Sequence, residues 1–295
     1  MALTTFHSTG IQYAADFFAE DTIALMLQPP QALTLEEMVM GVAPPPDTPE
    51  AAVAAAWAEL ADDADFQKAV SEKHFTEAQA TATLVSGIAA PMGATLDAKL
   101  ADTLKVNYET RIENGNYVYL LDGERILTIS GSMDSAPMVA ANADAILYGC
   151  FLVIDVLGIV AAAASVSVAV QKSKMAKSLQ GPLGGFFKKV MNPTAVRELK
   201  RLEQLGEKLE LIKKVLFWLR GTTNLKTVVG TFLQSLSWID YAVAIIQLVA
   251  SVLLLIGTGG ATMAAKIMQL GAAIAMFLAD LVGFIRALTK QAQPG

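Results

Sequence analysis

Two stretches of this chain are too long and too apolar to lie exposed on a water-soluble fold. Ala145–Gln171 runs for 27 residues with a single charge, Asp155, and Tyr241–Ala265 runs for 25 residues with none. After Lys266 a further 13 uncharged residues reach Ala279. A helix crosses a bilayer with about 20 apolar residues. Each stretch must therefore be wrapped on all sides, either by the rest of the protein or by lipid.

The distribution of charge separates the chain into two regions. Residues 1–145 hold 6 Lys+Arg and 21 Asp+Glu, whereas residues 146–295 hold 16 and 7, so net charges of −15 and +9 stand behind an overall −6. Such asymmetry points to a membrane-seeking half, or to halves that complement each other. At 17% charged and 54% hydrophobic, the chain has ample apolar surface to bury, which excludes disorder over most of its length. The acidic balance argues against a nucleic-acid partner. One cysteine, Cys150, excludes a disulfide framework and a multi-cysteine metal site, and His7 and His74 make no zinc pattern. No nucleophile elbow, dinucleotide fingerprint, metalloprotease helix or phosphate loop occurs. The expectation is a non-enzyme without cofactor or metal.

The acidic region, residues 1–144, reads as a small α+β domain. Ile11–Leu27 carries apolar residues at helical spacing, ended by Pro29–Pro30. Thr34 and Glu37 form a capping-box pattern, Thr48-Pro49 opens an Ala-rich helix, and Thr76 opens another that ends near Gly87. The Asp62-Asp63-Ala64-Asp65 cluster is a solvated helix end. From Leu104 the period changes to alternation. Val106–Ile112, Tyr117–Leu121 and Arg125–Ile129, joined by Asn114-Gly115 and Asp122-Gly123, predict a three-stranded antiparallel meander, because both dipeptides supply the positive φ of tight hairpin turns.

The basic region, residues 145–295, reads as a hydrophobic helical bundle, making the whole fold mainly α. It comprises an apolar helix (145–171), a basic linker and amphipathic helix (172–226), and a hydrophobic hairpin (237–288). Asn192-Pro193 opens the amphipathic helix, whose Leu202, Leu205, Leu209, Ile212, Leu216 and Leu219 make an a/d seam. Gly257-Thr258-Gly259-Gly260 is a poor helix interior and a good turn. It divides the hairpin into Ser237–Ile256 and Ala261–Leu288, with Trp238 and Tyr241 where an interfacial aromatic belt lies. Gly271, Ala275, Ala279 and Gly283 recur every four residues, a stripe that lets helix backbones approach closely. Ile146, Phe151, Ile246, Leu254 and Phe277 belong to the membrane-inserting set. Lys172, Lys174, Lys177, Lys188 and Lys189 are candidate lipid-headgroup contacts, with an anionic bilayer as partner.

Met1–Gly10 has neither a basic n-region nor an apolar h-region, so no cleavable signal peptide is expected there. Keeping the basic segment cytoplasmic would require export of the acidic domain, and the reverse orientation opposes the positive-inside tendency. A soluble form that buries its hairpin and inserts later avoids this conflict. That arrangement resembles, in architecture and not in motifs, the pore-forming domains of colicins and other α-helical pore-forming toxins, over roughly Ala145–Lys290. The resemblance implies membrane association, permeabilisation and a homo-oligomeric pore. The alternatives are an integral membrane protein with two or three spanning helices, and a structural subunit of a homo-oligomeric assembly. Folding the hairpin about its glycine turn places Asp240 near Asp280. With Asp155, these are candidate pH-sensitive groups, since a carboxylate enters hydrocarbon more easily when protonated.

Overall fold

The computed structural model describes residues 11–13, 17–28, 44–131, 136–166, 171–234, 236, 240–257 and 259–291. Trp238, Thr258, His7 and the Thr34–Glu37 pattern lie outside them. Within them the fold is mainly helical, with an antiparallel sheet following short N-terminal helices.

Strand β1 (Ile11–Tyr13) precedes helices α1 (Glu20–Leu27), α2 (Pro49–Glu59), α3 (Ala64–Lys73), α4 (Glu77–Ala89) and α5 (Leu96–Leu104). The caps are local and match the sequence. Thr48 accepts a hydrogen bond from the Ala51 N–H at 3.2 Å with Pro49 at the first helical position, Asp63 accepts from Phe66 N–H at 2.8 Å, and Thr76 and Gln79 close a capping box. The meander follows as β2 (Tyr108–Glu113), β3 (Asn116–Leu121) and β4 (Glu124–Ser130). Asn114 (φ 52°), Gly115 (78°), Asp122 (51°) and Gly123 (83°) all take the positive φ that these turns need. The sheet order is β1-β4-β3-β2. Ile11–Tyr13 is thus an edge strand pairing with Leu127–Ile129 rather than the start of a helix. Pairing with β4 gives that edge's backbone groups partners, which local helical spacing does not reveal.

The remaining helices are α6 (Ala136–Ala163), α7 (Lys172–Leu179), α8 (Gly184–Val190), α9 (Pro193–Gln204), α10 (Lys208–Thr222), α11 (Leu225–Gln234), α12 (Tyr241–Ile256), α13 (Ala261–Met268) and α14 (Gly271–Gln291). Helix α6 begins nine residues before Ala145 and runs unbroken through the 144/145 position. Its 28 residues span about 42 Å. Helices from both regions surround it: α1, α5, α7, α10, α11, α12, α13 and α14, with β4. The apolar core is one cluster reaching from Phe18 to Leu288.

The amphipathic segment divides in two. Asn192 caps α9, its Oδ1 accepting from Thr194 and Ala195 N–H at 3.0 Å. Gly206 (φ 70°) then ends α9, and Glu207 N–H returns to the Leu202 carbonyl. This is a Schellman-type stop that the continuous leucine seam conceals.

The C-terminal hairpin also differs from expectation. Between α12 and α13 the axis turns through 98° instead of folding back. A second break separates α13 from α14, where Asp97 of α5 accepts hydrogen bonds from Ala272 and Ala273 N–H at 2.9 and 3.0 Å. A carboxylate 175 residues away in sequence therefore caps the last helix. Helix α14 packs along α6, not along α12. The contacts of Asp280 with Asp155 through Lys172 and of Gly283 with Tyr148 run in opposite senses along the two helices, so α6 and α14 form the antiparallel apolar pair.

Candidate functional site

Helix α6 is apolar on every side, and an 18-residue window within it is 94% buried. Few of its residues are polar, and each has a specific partner. Asn142 donates to the Met26 and Gln28 carbonyls at 3.0 and 3.2 Å, satisfying the end of α1. Asp144 accepts from the Tyr108 and Thr110 hydroxyls of β2. Asp155 lies in the interior, fully buried.

The Lys172 ammonium stands 2.6 Å from Asp155 Oδ1 and also contacts Asp280 Oδ2. Three elements thus deliver three charges to one point: α6, the first turn of α7, and the middle of α14. The Asp155 and Lys172 side chains are completely buried, and the Asp280 side chain is 14% exposed. Lys172 also lies over the Phe151 ring, 5.1 Å from its centroid. Neither Asp155 oxygen receives a well-directed hydrogen bond, so ion contact alone balances that carboxylate. Burial by itself lowers the Lys172 pKa, but the two carboxylates more than offset it and the net direction is upward. Two carboxylates against one ammonium leave the cluster with one net negative charge when all three are ionised. A cluster of this kind is weak evidence for stability, because desolvation consumes much of the attraction. Its chemical property is instead conditional: losing Lys172 changes what holds α6 against α7 and α14.

The sequence-chosen residues fall into separate places. Asp155 and Asp280 meet through Lys172, as two isolated carboxylates in apolar helices require. Asp240 is not with them. It makes an exposed ion pair at 2.5 Å with Lys73 on α3, because the 98° bend carries the start of α12 away from α14. Lys172 itself faces the core rather than a headgroup, and Lys189 is also buried, whereas Lys174, Lys177 and Lys188 are exposed. Ile146, Phe151, Ile246, Leu254 and Phe277 are buried in the core, and Tyr241 is half-buried. Gly271, Ala275 and Ala279 lie on the exposed face of α14. Gly283 instead lies beneath the Tyr148 ring, where an added Cβ would come within 2.3 Å.

The glycine turn has a contact that sequence reasoning missed. A Cβ at Gly257 would lie 1.9 Å from the Pro46 carbonyl oxygen, and one at Gly259 1.7 Å from that of Asp47. The Pro44–Asp47 segment before α2 therefore crosses the tip of α12 backbone to backbone. The glycines permit that closeness. Helices α2, α3 and α4 continue the cover along α12.

By length and composition, α6 and Gly271–Lys290 are each able to span a membrane, and α12 with α13 makes a bent third candidate. The described structure thus defines a helical protein holding membrane-length apolar helices within a bundle. No family model, curated protein or solved structure matches this chain.

Proposed function

We propose that this protein inserts into and permeabilises lipid bilayers, moving from a form in which its apolar helices are covered by protein to one in which they are covered by lipid. The observation that carries the reading is α6: a helix of membrane length, apolar on every side, enclosed by elements from both ends of the chain. Its contacts with α14 make the pair the inserting unit. The short helices α1–α5 and the basic helices α7–α11 are the cover that must separate from it. Exposed Lys174, Lys177 and Lys188 draw the covered form to anionic headgroups. Self-association of inserted α6–α14 pairs, through the small-residue face of Gly271, Ala275 and Ala279, completes a pore.

Purification without detergent, followed by addition to dye-loaded phosphatidylglycerol vesicles, tests this. A monodisperse protein that floats with vesicles and releases dye is the expected result. A protein recovered only in detergent contradicts the covered form and supports the integral membrane alternative. A monodisperse protein that leaves every vesicle intact contradicts insertion.

A further inference from the structure

A cleft of about 240 Å³ opens beside β2, where the first half of α6 meets the last turns of α14. Its lining combines opposite chemistries in order. At the inner wall, Asp144 receives both of its hydroxyl donors, Tyr108 at 2.5 Å and Thr110 at 3.3 Å, on the one oxygen Oδ1. Among the described residues Oδ2 has no hydrogen-bond donor, and the charge that reaches the carboxylate from the rim is that of Lys290. The Tyr108 and Tyr148 rings stand edge to face, 5.2 Å between centroids, beside that carboxylate. At the rim, Arg286 and Lys290 project from successive turns of α14, both exposed. Gly283, three residues before Arg286, and Ala287, the residue after it, also line the cleft and add little side-chain bulk.

A carboxylate flanked by aromatic rings suits an ammonium group, which gains both charge and ring attraction. Two cations at the rim suit a phosphate. We propose that this cleft binds the ammonium–phosphate headgroup of a zwitterionic phospholipid. Asp144 and the two tyrosine rings take the ammonium, and Arg286 and Lys290 take the phosphate. The lipid source rests on the insertion reading above. Occupancy would seat the end of the apolar pair at the headgroup level while α6 and α14 point into the hydrocarbon.

Calorimetric titration of the intact protein with free phosphocholine and phosphoethanolamine, beside flotation on phosphatidylcholine vesicles, tests the site. Saturable binding of at least one free headgroup, together with flotation that this headgroup competes away, is expected. Asp144→Asn should weaken both by about tenfold or more, the scale of one lost charge-assisted contact. Arg286→Gln, on the exposed rim where folding is not at stake, should do likewise. Free-headgroup binding without flotation overturns the lipid source. No saturable binding of either headgroup, or binding indifferent to both variants, overturns the site. Dye release from phosphatidylglycerol vesicles is read separately, so failure of the cleft and failure of insertion give different results.

Discussion

Lys172 is the residue on which the buried cluster turns. Removing it leaves Asp155 without its cation in a fully buried place, a change that costs about 3–5 kcal/mol when a buried pair is broken on one side. Lys172→Met should therefore lower unfolding free energy in urea by that amount. The triple variant Asp155→Leu, Lys172→Met, Asp280→Leu should recover most or all of the loss, since apolar replacement of buried ions is commonly neutral or stabilising. Equal stability of Lys172→Met and the unaltered protein would show that the cluster has no net interaction. The pH response follows Lys172. Because the folded pKa of Lys172 is raised, its contribution is complete below the ordinary lysine value of 10.5 and fades as pH climbs through the higher folded value. A melting curve followed across alkaline pH should show that fall, and Lys172→Met should flatten it. The two aspartates were legible in the sequence as isolated carboxylates within apolar stretches. Their cation was not, because Lys172 opens a basic segment and looks like a surface lysine. The signal available was its place as the first charge after the apolar run, since a buried carboxylate needs a neighbouring cation.

At the scale of elements, local chemistry and tertiary contact divide the fold between them. The hairpin turns and the caps at Thr48, Thr76 and Asn192 follow from neighbouring residues and were legible. The edge strand Ile11–Tyr13, the break at Gly206 and the 98° bend after α12 were not. The first and last depend on segments distant in sequence, and the break on a glycine that a regular leucine pattern hides. Two substitutions test the distant contacts. Asp97→Ala removes the carboxylate that caps α14 and should cost about 0.5–2 kcal/mol, the range for a lost N-cap. Gly259→Ala should cost about 1–3 kcal/mol, because its methyl cannot coexist with the Asp47 carbonyl unless the backbone shifts. Both are read as shifts in the urea midpoint. If the Pro44–Asp47 segment restrains the apolar helices, Gly259→Ala should also hasten vesicle permeabilisation. An unchanged midpoint would mean that this segment does not hold the tip of α12.

At the scale of the molecule, the opposed charges of the two regions do not translate into a simple electrostatic clasp. Among the described residues, the ion pair Lys73–Asp240 joins a basic residue of the acidic region to an acidic residue of the basic one, and only longer-range attractions, Arg220 on Glu59 and Lys290 on Asp144, run the other way. The regions share one apolar core, with α2, α3 and α4 on α12 and α1 and α5 on α6, and polar contacts such as Asp97 with the start of α14 and Lys266 with the Gly87 carbonyl at its margins. The membrane-length segments were legible from composition, but which of them pair was not. In the structure, Lys172, Asp97 and Tyr148 mark the pairing by their contacts with α14. On the proposed function, insertion exchanges that shared core for hydrocarbon and carries the aspartates of the apolar helices with it. Dye release from phosphatidylglycerol vesicles, compared at about pH 5 and about pH 7.5, tests this most directly, because carboxylate protonation lowers the cost of entering lipid. The account predicts faster release at the lower pH. Release that is equal at both, faster at neutral pH, or absent from folded protein at either would contradict it.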